Sequence, residues 1–129
     1  MPYYYSKKLN NVDFDEAIEK VTAALKEEGF GVLTEIDVTA TLKKKLDVDF
    51  KPYRILGACN PGFAHKALQA EDKIGAMLPC NVIVQQQDKE SIEVSVVDPV
   101  ASMQAVENDN LGKIAGEVRD KLKKVLENI

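Results

Sequence analysis

Two cysteines, each followed by an asparagine, are the residues of this chain best suited to chemistry. Cys59 lies in the run Gly57-Ala58-Cys59-Asn60-Pro61, and Cys80 in Leu78-Pro79-Cys80-Asn81-Val82. A thiol becomes a nucleophile or a soft ligand once it ionises, and positive charge or a helix start nearby favours ionisation. Asn60-Pro61 reads as a helix opening, a capping amide followed by proline at the first helical position. Cys59 then stands at the electropositive end of a helix, where free N–H groups favour anions. Gly57 and Ala58 are small and let a ligand or a neighbouring backbone approach closely. Cys80 opens a strand behind the restraint of Pro79. The pair has neither the C-x-x-C spacing of a redox motif nor that of a zinc finger. The bland alternative is that both are small buried hydrophobes.

Further candidates gather around the pair. His65, the single histidine, lies one turn beyond Pro61 on the expected helix. Paired with Cys59 it would make a nucleophile and base; with Cys59 and Cys80 it would make a three-ligand metal site. The alternative is an exposed or core-edge histidine. Asp98, just before Pro99, could orient a partner or bind a cation, or simply cap a turn. Arg54 could hold a carboxylate or form an ordinary surface ion pair. No Walker loop, dinucleotide fingerprint, H-E-x-x-H or G-x-S-x-G is present, which removes the standard nucleotide, zincin and serine-hydrolase readings.

The elements that must position these residues follow from periodicity. Tyr3 to Lys8 reads as a first strand. Asp13 and Glu16 have capping-box spacing, and Phe14, Ala17, Ile18, Val21 and Leu25 then form one helical stripe that Gly29 ends. Phe30 to Val38 reads as a strand, Thr39 to Leu46 as a short helix, and Lys51 to Gly57 as a third strand. A helix from Asn60 to about Ala70 follows, and Glu71 to Pro79 reads as a mobile connection. Asn81 to Gln87 and Ser91 to Asp98 form a hairpin whose Val94 and Val96 alternate with Glu93 and Ser95, which predicts one wet face. Val100 to Val106 holds a helical turn or two. The last helix starts near Asp109 or Asn110, with Leu111, Ile114, Ala115, Val118, Leu122 and Val125 as its buried stripe. This order predicts a single α+β domain over residues 1–129, with helices packed on one mostly antiparallel sheet.

Composition agrees. The chain has 129 residues, 45% hydrophobic and 29% charged, as in an ordinary globular domain. No apolar run is long enough to span a membrane, and the N-terminus lacks the apolar core of a signal peptide. A cytoplasmic location with reduced thiols is therefore expected. The net charge of −4 argues against nucleic acid as a general partner. Lys43, Lys44 and Lys45 form a local basic run that reads as a solvated helix face.

The run Tyr53-Arg54-Ile55-Leu56-Gly57-Ala58-Cys59-Asn60-Pro61, then Leu78-Pro79-Cys80-Asn81-Val82 and Val97-Asp98-Pro99, closely resembles domain of unknown function 302 (DUF302). The resemblance covers nearly the whole chain. It implies a small bacterial or archaeal α+β domain of TATA-binding-protein-like β-α-β-sheet-α type, forming a homodimer. It implies no established reaction. Its signature positions here are Gly57, Cys59, Asn60, Pro61, Pro79, Cys80, Asn81, Asp98 and Pro99; His65 is not among them. Three functions stay open. One is a ligand-binding or redox-responsive module around Cys59 and Cys80, taking a small anion, metal, tetrapyrrole or sulfur species. The second is a cysteine-dependent enzyme of sulfur or acyl transfer, needing His65 or Asp98 as base. The third is a structural or assembly protein whose cysteines are core residues.

Overall fold

The computed structural model describes residues 2–129. The chain runs β1 (Tyr4–Asn10), α1 (Phe14–Glu27), β2 (Gly31–Asp37), α2 (Val38–Leu46), β3 (Tyr53–Cys59) and α3 (Pro61–Ala70). A 3-10 helix (Asp72–Met77), β4 (Cys80–Gln86), β5 (Ser91–Val97), α4 (Pro99–Ser102) and α5 (Asp109–Glu127) complete it. The strands form one sheet in the order β1-β5-β4-β3-β2, and every neighbouring pair is antiparallel. The architecture is the expected α+β one. Among the described residues no helix is long and apolar enough to cross a membrane.

Alternation along the strands sends one set of side chains toward the long helices. Leu56 and Ala58 of β3, Cys80, Val82 and Val84 of β4, and Ile92, Val94 and Val96 of β5 share a face. Against them pack Ala17, Val21, Ala24 and Leu25 of α1, and Val118, Leu122, Val125 and Leu126 of α5. Their i, i+3, i+4 spacing is what amphipathic helices need to cover a sheet. Burying one such Leu or Val fully is worth about 1.5–3 kcal/mol. A second, smaller cluster joins Ala67 of α3, Ile74, Met103, Leu111 and Ala115. Thus α5 serves two cores, its first turns the small one and its later turns the large one.

The local details correct several expectations. Asp13 is the N-cap of α1 in extended conformation, but its side chain makes no cap bond, so no capping box forms. Asp15 and Glu16 in the first turn complement the helix dipole instead. Gly29 closes α1 with φ of 87°, a left-handed conformation that glycine adopts without a Cβ clash. The stretch expected to be a mobile connection contains the 3-10 helix, pinned by the buried Ile74. The hairpin face expected to be wet also buries Ser95, whose hydroxyl pairs with Ser6 Oγ at 2.7 Å. Lys43, Lys44 and Lys45 occupy the last turn of the exposed α2, where cations suit the helix C-terminus. Lys43 pairs with Asp47 at 3.0 Å and Asp49 at 3.4 Å.

Candidate functional site

The last residue of β3 and the first of β4 are Cys59 and Cys80. In the antiparallel register Ala58 faces Cys80 and Gly31 faces Cys59, so the two cysteines stand one step apart on neighbouring strands. Both are free thiols, Cys59 half-buried and Cys80 buried. Both line one cavity of about 380 Å³, at the small end of the usual range for ligand pockets, ~300–1,000 Å³. Its floor and walls come from Phe30, Phe63, Leu78, Met103, Leu111 and Ile114, with Ala64, Ala67 and Ala115 where larger side chains would close it. Leu33 and Leu68, 68% and 45% exposed, form part of the rim. Among the described residues no Asp, Glu, Lys, Arg or His lines it.

The two thiols differ. Burial pushes the Cys80 thiol up to about 11, and the neighbouring Cys59 charge adds to the rise. Cys80 therefore stays a neutral, weakly polar wall atom at neutral pH. Cys59 immediately precedes α3, whose N-cap is Asn60 and whose first residue is Pro61. The Asn60 side chain, expected to cap α3, makes no cap bond. Its amide instead donates to Glu28 O at 3.3 Å and lies against Gly29, fastening the start of α3 to the end of α1. The opening amides of α3 are thus left uncapped by it.

Gly57 has a clear steric reason. A Cβ there would overlap the Thr34 hydroxyl and reach Pro79 Cγ at 2.8 Å. Thr34 sits opposite Gly57 in the β2–β3 register, next to the irregularity between Val32 and Thr34. Pro79, joined to Leu78 by a cis peptide, and Pro99 both line the cavity.

The other candidates lie elsewhere. Pro61 is exposed and does not line the cavity. Asn81 points away from it, onto the outer face of the sheet, because it follows Cys80 in a strand. His65 is exposed on α3 and also off the cavity wall. Asp98 is buried and already engaged: Oδ1 accepts from Val100 N at 2.9 Å, and Oδ2 from the Tyr5 hydroxyl at 3.2 Å. Among the described residues no group of three or more His, Cys, Asp or Glu could hold a metal ion. Arg54 donates to Glu35 at 2.8 Å and Asp37 at 3.5 Å, an ion pair within the chain. The apolar wall itself carries no chemical signature in sequence; the one available hint is the recurrence of alanine at inward positions of α3 and α5.

Fold and site define a class: a small α+β domain whose five-stranded antiparallel sheet and helices enclose an apolar cavity with two thiols in its wall. The sequence pattern of domain of unknown function DUF302 matches residues 5–129, and the chain belongs to that family. A solved structure, the crystal structure of an uncharacterized conserved DUF302 protein from Bacillus stearothermophilus, is similar to it with a TM-score of 0.89 and 30% identity. The match covers 98% of this chain and 97% of that one. The comparison with curated proteins returns no match.

Proposed function

We propose that the chain is a binding module for a compact, largely apolar ligand, held in the cavity beside Cys59 and Cys80. The observation that carries this reading is the cavity wall: about 380 Å³ bounded mostly by aromatic and aliphatic side chains, with no ionisable group among the described residues except two thiols. Such a wall rewards apolar surface and offers no charged side chain to a small anion. Its donor set of two thiols falls short of the three-ligand metal site considered from the sequence. The volume favours a compact guest over a tetrapyrrole.

The test is titration with the uncharged fluorescent probe N-phenyl-1-naphthylamine, together with native mass spectrometry of freshly purified protein. One probe per chain should bind saturably. Ala115→Phe and, separately, Ala64→Phe place a ring in the cavity and should abolish binding while leaving the circular dichroism spectrum unchanged. Non-saturating fluorescence, or folded filling variants that bind as well as the parent, would overturn the reading.

The outer face of the sheet supports the homodimer expectation. Both long helices pack on the opposite face, and Tyr4, Tyr53, Ile83 and Val97 surround a shallow basin there. A second copy is the proposed occupant; sedimentation velocity showing a monomer at every concentration would remove it.

A further inference from the structure

We infer that Cys59 is an acyl-acceptor site, which takes a medium-chain acyl group from a thioester donor and houses the chain in the apolar cavity. The inference rests on the cavity being a ligand site and names what that ligand does there.

Three observations converge on it. First, the cavity is a hydrocarbon-lined compartment with a half-enclosed mouth, the shape an alkyl chain fills. Second, the two sulfur atoms on its wall are unequal. Cys59 is half-buried, whereas Cys80 is 8% exposed, has a raised pKa and is a poor nucleophile at neutral pH. Cys80 lines the same compartment, so a second sulfur-bearing residue stands beside the proposed acyl thioester. Third, Cys59 precedes Asn60, the N-cap of α3, whose side chain makes no cap bond and so leaves the helix's positive end uncapped. That end is the electrostatic partner a developing oxyanion needs.

The chemistry balances without a co-reactant. Cys59 releases its proton to solvent, and the thiolate Sγ attacks the thioester carbonyl. The new S–C bond forms, the donor's C–S bond breaks, and the departing thiol takes up a proton. One thioester is exchanged for another, so no oxidant or reductant is required and the step is reversible.

The experiment incubates the full chain at about pH 8 with the decanoyl or acetyl thioester of N-acetylcysteamine and follows intact mass. One decanoyl group per chain is expected, mapped to Cys59 by peptide mass spectrometry and removed by hydroxylamine. The decanoyl donor should load at least about tenfold faster than the acetyl donor, since burying only two methylenes is worth that much. Cys59→Ala should not load yet should keep the parent's circular dichroism spectrum, which shows that it is folded. An adduct on Cys80, equal rates for the two donors, or no adduct on a chain that binds the probe would each overturn the acyl site while sparing the binding module. A parent chain that does not bind the probe would instead remove the reading beneath it.

Discussion

Cys80 and Cys59 are separated by one register step but by a large difference in environment. A thiol at about 11 holds roughly a hundredfold less thiolate near pH 8 than one at its ordinary value. Cys59 is also the less buried of the two, so iodoacetamide should label it first in the folded chain, and Cys80 only after unfolding or at high pH. Equal labelling rates in the folded state, read by mass spectrometry, would contradict the placement. Asp98 has a different kind of importance. It is buried, and its two oxygens cap α4 and hold β1 through Tyr5. Asp98→Ala should lower stability by about 2 kcal/mol in urea denaturation and leave the thiol reactivity of Cys59 unchanged. The matched Cys-Asn pairs were visible in the sequence as a chemical oddity, but their geometry was not. Neighbours in a strand face opposite ways, so Cys80 and Asn81 could not both enter one site. Asn60 fits a cap by type and position; its actual partner, Glu28 O, is a contact across the fold that no local pattern announces.

Elements were more legible than contacts. The stripes of α1 and α5, the Gly29 stop and the β4–β5 hairpin all follow from periodicities that repeat several times within a segment. The 3-10 helix did not, because a single anchoring residue, Ile74, sets no period. The cavity was illegible for a related reason: it is a volume left unfilled among β3, β4, α3 and α5, which are distant in sequence. Gly57 shows how tightly β3 is held between β2 and β4. Gly57→Ala should destabilise by about 1–3 kcal/mol, because Thr34 and Pro79 already occupy the space of a Cβ. Thr34→Ala in the same chain should recover part of that loss, and a thermal melt of the two variants and the double variant would show the coupling.

The whole molecule should feel Cys80 through pH. Its folded pKa is raised from 9.0 to about 11, so the folded state holds the proton more tightly than the unfolded chain. The associated stability is complete below pH 9 and is lost as pH rises toward 11. Urea midpoints of the parent and Cys80→Ala, measured from pH 8 to pH 11, should diverge in slope across that window. Parallel curves would show that the thiol proton is not linked to folding.

The hollow lies between two packing units that meet along α5. Such an arrangement lets the smaller unit open while the sheet and its larger core stay closed, so backbone amides of α3 should exchange with deuterium well ahead of those in β4 and β5. A guest lodged between the units would touch both and tie their opening together, and the early-exchanging amides would then slow toward the pace of the rest. Occupancy would thus be written into the breathing of the fold as a merging of two cooperative blocks into one.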